Sequence, residues 1–289
     1  MTTVSTAILP SSSPAPRASS ARDYMALPVY SVPFDASARE IDRALEERDV
    51  SAVVVEDVNG DPVGVVTRSD LIRVARKSDG PPSHMVLSLP DTRATEVMKS
   101  GLVTLPPEAP IEAVARTMAD RGIPRVFVSR ENLLLGVVGA VEILRAVADR
   151  RIATPLERVM SQSLVTALAS EGLAVAAERI AATKKQALVV VEDGWPVGII
   201  SDAEVLLAGR WPAHVPVRDW MQPRVLCLPA GMPLFRAASH ALHNDVRHVI
   251  VMDDLAIKGI ITGIDFARSL ADWDSRAECC VEKREHHVA

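Results

Sequence analysis

Apolar and polar positions along the chain follow two periods that alternate in a fixed order. Ile111, Val114, Ala115 and Met118 fall at i, i+3, i+4 and i+7, the stripe of an amphipathic helix, and Leu173, Ala176, Ala177 and Ile180 repeat that spacing. A short apolar segment, Val103 to Leu105, precedes the first stripe and reads as a strand. Paired apolar runs around a polar turn then predict a β-hairpin: Val53 to Val55 and Val63 to Val66 flank Asn59-Gly60, and Asp193-Gly194 is the corresponding turn further on. A second helix closes each block. The unit is β-α-β-β-α over about 60 residues, and its strands are too apolar to face water, so such units must pack on one another.

Four copies are present, opening on Arg22-Asp23-Tyr24-Met25, Thr95-Glu96-Val97-Met98, Glu157-Arg158-Val159-Met160 and Arg218-Asp219-Trp220-Met221. Each Met is followed 39, 38, 38 and 38 residues later by a Gly that starts an apolar strand, namely Gly64, Gly136, Gly198 and Gly259. The expected organisation is a disordered Ser/Pro/Ala/Thr tail over 1–21, repeats at 22–78, 94–150, 155–211 and 215–272, and a charged tail at 273–289. Met-to-Met spacing is 73 between the first two repeats against 62 and 61 for the others, so the 76–93 linker with Gly80-Pro81-Pro82 reads as a surface loop.

Composition narrows the function classes. The 289 residues are 48% hydrophobic and 24% charged, the balance of a folded globular chain of roughly two domains. Ten aromatic residues and a formal charge of −5 argue against a nucleic-acid surface. No apolar run approaches the roughly 20 residues of a membrane span, and no cationic start precedes Ala7-Ile8-Leu9, so a cytoplasmic location is expected. Three cysteines, Cys227 and the adjacent Cys279 and Cys280, make no disulfide framework.

The chemistry sits where each hairpin runs into the last helix: Gly64-Val65-Val66-Thr67-Arg68-Ser69-Asp70, Gly136-Val137-Val138-Gly139-Ala140-Val141-Glu142, Gly198-Ile199-Ile200-Ser201-Asp202-Ala203-Glu204 and Gly259-Ile260-Ile261-Thr262-Gly263-Ile264-Asp265. Gly, two apolar residues, Thr or Ser, two more, then Asp resembles the nucleotide-binding signature of CBS (cystathionine-β-synthase) domains. The resemblance spans about 240 residues. It implies an α/β (α+β) fold of four CBS repeats paired into two Bateman modules, residues 22 to 150 and 155 to 272, stacked as a pseudo-fourfold disc. It further implies clefts for an adenine nucleotide or S-adenosylmethionine, with Asp70 and Asp265 on the ribose diol and Thr67, Thr262 and Ser201 beside the phosphate. Physical chemistry agrees: a carboxylate suits two cis hydroxyls, and a helix N-terminus offers N–H groups and a positive dipole end to an anion.

A capping box explains the same spacing without a ligand, and Ser201 with Glu204 fits it well. Glu is the preferred third-residue partner because its longer arm reaches back to the cap amide, so Asp70 and Asp265 are better explained by a ligand. Repeat 2, with Gly139 and Glu142, is expected to be degenerate. Other phosphate candidates are Arg68, Arg125, Arg247 and His248, the last three in the turn before the hairpin, where repeats 1 and 3 have Ser51-Ala52 and Gln186-Ala187. Ser31, Thr104, Thr166 and Cys227 each fall six residues after the repeat's Met, on the strand that lines the cleft in the family. His240 and His243 could share a metal, but with no completing ligand a solvated helix face explains them better. The chain shows no nucleophile elbow, HExxH or P-loop Gly-Lys. The expectation is a non-enzymatic sensor with no cofactor, signalling in trans to an effector protein or through a homodimer. The alternative is a CBS scaffold with empty clefts.

Overall fold

The computed structural model describes residues 19–75, 89–183, 187–208 and 215–273. The N-terminal tail, most of the 76–93 linker, Gln186, Cys279, Cys280, His286 and His287 lie outside the described residues.

Repeat 1 runs α1 (Ala21–Tyr24), β1 (Ser31–Pro33), α2 (Ala38–Glu47), β2 (Ala52–Glu56), β3 (Pro62–Thr67) and α3 (Arg68–Ala75). Repeat 2 runs α4 (Ala94–Val97), β4 (Lys99–Ser100), β5 (Thr104–Leu105), α5 (Ile111–Arg121), β6 (Val126–Arg130), β7 (Leu133–Val138) and α6 (Ala140–Asp149). Repeat 3 has β8 (Thr166–Leu168), α7 (Leu173–Thr183), β9 (Ala187–Glu192), β10 (Trp195–Ser201) and α8 (Asp202–Ala208). Repeat 4 has β11 (Cys227–Pro229), α9 (Leu234–His243), β12 (Val249–Asp253), β13 (Ala256–Ile261) and α10 (Gly263–Ala271). The β-α-β-β-α unit is thus preceded by an opening turn that apolar periodicity does not reveal. It is α-helical in repeats 1 and 2 and 3₁₀ at Leu156–Arg158 and Val217–Asp219.

In every sheet the first strand is parallel to the second and the hairpin is antiparallel. Both apolar stripes lie inward, with Ile111, Val114, Ala115 and Met118 fully buried. The repeat 3 hairpin turns through Asp193 and Gly194 at φ of 50° and 84°, the two left-handed residues that a twist-matched hairpin needs. Repeat 1 differs: its turn is a wider loop in which the Asp57 carboxylate accepts from the backbone of Asn59 and Asp61 at 2.8 and 2.9 Å.

The recurring Met and Gly meet across repeats. A Cβ on Gly136 of repeat 2 would lie 2.7 Å from Met25 Sδ of repeat 1, and one on Gly259 of repeat 4 would lie 3.0 Å from Met160 Sδ of repeat 3. Gly64 and Gly198 face Met98 and Met221 in the reverse direction. Backbone pairing fixes the exchange, since Ala26 bonds Val137 at 2.8 and 3.1 Å and Ser161 bonds Ile260 at 2.9 and 3.0 Å. Repeats 1 and 2, and 3 and 4, are therefore latched reciprocally, and a close backbone approach explains the glycines.

Within the second pair the sheet faces are joined by Val189, Ile199, Ile250 and Ile260. Between pairs the contact is helical. Ile143 and Leu144 of α6 share one core with Leu234 and Ala238 of α9, Phe266 of α10 and Met118 of α5. Ile41 and Leu71 of repeat 1 share another with Ala176, Ile180 and Val205 of repeat 3. At about 1.5–3 kcal/mol per fully buried large apolar side chain, these cores outweigh any surface ion pair. Repeats 1-2, 2-4, 4-3 and 3-1 so close into a ring. α6 and α10 cross at Gly263, where a Cβ would sit 2.7 Å from that of Ala140.

Candidate functional site

The last helix of each repeat starts where its hairpin ends, and there four acids are buried: Asp70, Glu142, Glu204 and Asp265, at 2, 7, 7 and 6% exposure. Asp70 Oδ2 accepts from Thr67 N at 3.0 Å and Thr67 Oγ1 at 2.5 Å. Asp265 Oδ2 accepts from Thr262 N at 2.9 Å and Thr262 Oγ1 at 2.8 Å. Glu204 Oε2 receives Ser201 N at 2.8 Å together with the Ser201 hydroxyl, and Glu142 Oε2 receives Gly139 N at 2.9 Å. Asp therefore reaches the cap amide as well as Glu does, which corrects the expectation that its short arm argues against capping. The reason is that the extended cap residue brings its N–H over the first helical turn, within reach of either acid.

The outward oxygens differ. Asp70 Oδ1 takes Arg73 Nη2 at 3.2 Å and Lys99 Nζ at 3.4 Å. Asp265 Oδ1 takes Arg268 Nη1 at 3.0 Å, and Glu204 Oε1 takes Gln222 Nε2 at 3.1 Å. Lys99 and Gln222, the residues after the partner repeat's Met, carry no motif in the sequence.

The candidate cations come from three repeats and act on one another electrostatically. Arg125 donates to Ser51 Oγ at 3.2 Å, and Arg68 donates to the Leu45 carbonyl at 3.1 Å. Burial, with Arg247 and Arg68 as neighbouring like charges, lowers Arg125 to a pKa of about 10 against the attraction of Asp70. Arg68 is lowered by burial and by Arg247, with Asp49, Asp42 and Glu204 acting in the opposite sense. His248 is driven down to about 4 by burial and Arg247, opposed by Glu204. The groups near Arg125 and His248 are thus acids of the paired repeat: Arg125 of repeat 2 with Asp70 of repeat 1, and His248 of repeat 4 with Glu204 of repeat 3.

Ser31 and Thr104 start β1 and β5 and pair in register with Val54 and Phe127; both are exposed. Thr166 and Cys227 hold the same register against Val189 and Ile250, two residues of the sheet-to-sheet contact. Burial raises the Cys227 thiol. His240 and His243 are exposed on α9, and among the described residues no group of three or more His, Cys, Asp or Glu could hold a metal. No helix among them is long and apolar enough to cross a membrane.

A family model of the CBS domain matches residues 21–77, 94–149, 156–210 and 217–272. An uncharacterised protein of Methanocaldococcus jannaschii is 24% identical over 243 residues, 75% of this chain and 86% of that protein. The crystal structure of that protein, described as a candidate archaeal homologue of γ-AMPK, superposes with a TM-score of 0.73 at 21% identity, covering 86% of this chain and 99% of the other. An uncharacterised protein from Pyrococcus horikoshii superposes with a TM-score of 0.61 at 15% identity over 87% of this chain and 99% of the other. A homoserine O-acetyltransferase of Methanosalsum zhilinae is 29% identical over 113 residues, which are 38% of this chain and 23% of that enzyme.

Proposed function

This chain belongs to the CBS-domain family, and from that premise we propose that it is a regulatory sensor binding phosphate-bearing adenosine ligands in the clefts between paired repeats. The observation that carries the reading is that Arg68, Arg125 and Arg247, from three repeats, act on one another as like charges, with the hydroxyl-capped Asp70 helix start among the groups that Arg125 feels. Three guanidiniums that repel one another raise the free energy of the empty state, and an anion at their centre relieves it. Each capped helix start adds N–H groups and a positive dipole end. S-Adenosylmethionine brings a sulfonium cation into that field, so AMP, ADP or ATP is the better fit. The first cleft combines Thr67, Asp70, Arg68 and Arg125, with Ser31 on its flanking strand. The second module offers Thr262 with Asp265, and Ser201 with Arg247 and His248. Occupancy would be passed to an effector protein, in trans or through a homodimer.

The scaffold reading draws on the caps: all four acids are held by their own helix starts, so the signature has a structural use without a ligand. Thermal shift of the full chain with AMP, ADP, ATP and S-adenosylmethionine separates the two. A ligand at 100 times its dissociation constant adds about 2.7 kcal/mol. Stabilisation by phosphate-bearing ligands is expected; no shift with any of the four supports the scaffold, and a larger shift with S-adenosylmethionine refutes the electrostatic argument.

A further inference from the structure

All four acids accept their cap amide at one oxygen, but the other oxygens differ, and part of that difference is supplied in trans. The residue after each Met is paired in register with the strand residue that follows the partner's Gly: Lys99 with Val65, Ala26 with Val137, Ser161 with Ile260 and Gln222 with Ile199. Val65, Val137, Ile199 and Ile260 stand two residues before Thr67, Gly139, Ser201 and Thr262, so each of these residues shares its partner's cap face of the sheet. There it can reach the partner's acid. Lys99 does so with an ammonium at 3.4 Å from Asp70 and Gln222 with an amide at 3.1 Å from Glu204. Ser161 instead turns its hydroxyl to Ser163 at 3.2 Å, and Ala26 has nothing to offer.

A carboxylate has about four acceptor positions. Protein hydrogen bonds fill three on Asp70, from Thr67 N, Thr67 Oγ1 and Arg73, and the Lys99 ammonium adds an ion pair to Oδ1 at 3.4 Å. On Asp265 they fill three, from Thr262 N, Thr262 Oγ1 and Arg268. A ribose diol needs acceptors that are free or cheaply freed. We infer that Lys99 is an affinity-setting residue of the Asp70 site, a competitor from the partner repeat that a ribose hydroxyl must displace, and that Ser161 leaves the Asp265 site without one. The inference rests on the nucleotide reading. Lys99 is 66% exposed, so it can swing away, and its competition amounts to about a two- to fivefold change in affinity, the range of a solvent-exposed ion pair.

The test is calorimetric titration of AMP into the full chain carrying Asp265→Ala, so that Asp70 is the one aspartate site left. Lys99→Met keeps the aliphatic stem and removes the donor; it should tighten AMP about two- to fivefold. Lys99→Arg keeps a donor and should match the parent. In an Asp70→Ala background, Ser161→Lys should loosen AMP by a similar factor. AMP binding that Lys99→Met leaves unchanged or weakens, or a Lys99→Arg variant that behaves like Lys99→Met, overturns the inference while nucleotide binding stands. Absence of AMP binding in the wild-type chain overturns both.

Discussion

Replacing Arg125 by Met separates the two things its charge does. Burial and the neighbouring Arg247 and Arg68 lower its pKa from 12.5 to about 10, and at 1.36 kcal/mol per unit the empty protein bears a cost of order 3 kcal/mol for keeping it charged. Met is similar in length and uncharged, so the substitution removes that cost. It also forfeits the bond to Ser51, worth about 1 kcal/mol. The net expectation is a ligand-free protein more stable by about 1–2 kcal/mol, or roughly 2–8 °C in Tm for a chain of this size. The same variant loses a phosphate partner beside Asp70. Wild type at 100 times its dissociation constant for ADP gains about 2.7 kcal/mol; the variant should lose most of that gain at the same ADP concentration. Differential scanning fluorimetry with and without ADP reads both terms, and their opposite signs are the signature. A variant that melts lower when empty and keeps the full ADP shift would refute the argument, because Arg125 would then be a structural cation.

Three further predictions use other parts of the ring. Asp265→Ala should cost about 1–2 kcal/mol through the lost cap and weaken AMP binding about 10- to 150-fold, whereas Asp265→Glu should keep the cap, as Glu204 does, yet still weaken AMP; chemical denaturation and calorimetry together distinguish them. His248 is held neutral down to about pH 4 while the unfolded chain protonates near 6.5. Its contribution to stability is therefore complete above pH 6.5 and declines as pH falls towards 4, by up to about 3 kcal/mol, and His248→Gln should flatten that part of the pH–stability curve. Gly136→Ala places its Cβ 2.7 Å from the flexible Met25 side chain, whereas Gly259→Ala meets the Ser161 carbonyl at 2.7 Å. Both should destabilise by about 1–3 kcal/mol, but trimming Met25 to Ala should recover part of the first loss, and trimming Met160 should recover little of the second.

The elements were legible because each rests on local period and turn chemistry. Ile111 to Met118 and Leu173 to Ile180 carry the helical stripe, and both face a core. The short opening turns at Ala21–Tyr24 and Leu156–Arg158 were not legible as helix, since three or four residues hold no period. The packing order of the ring was not legible either. The stripe says that α5 and α7 bury a face, but nothing in it says that α5 meets α10 while α7 shares its core with repeat 1.

The Met–Gly spacing shows how a correct pattern can hide its cause. Counted along one repeat, 38 residues separate Met98 from Gly136, yet the contact joins Met98 to Gly64 and Met25 to Gly136. The regular interval within a repeat is what remains in one dimension of an exchange between two repeats related by approximate twofold symmetry. The site follows the same rule. Thr67 and Asp70 are adjacent in sequence because one helix start holds them, so a motif could announce them. Arg125 and Lys99, the groups proposed to set how that helix start meets an anion or a ribose, arrive from repeat 2, whose own signature positions hold Gly139 and Glu142. A repeat that lacks the hydroxyl and the short acid thus still brings Arg125 and Lys99 to the acid of its neighbour. If the proposed clefts bind as argued, competence in this fold is a property of pairs of repeats, and a search of single repeats reads only the half that shares a helix.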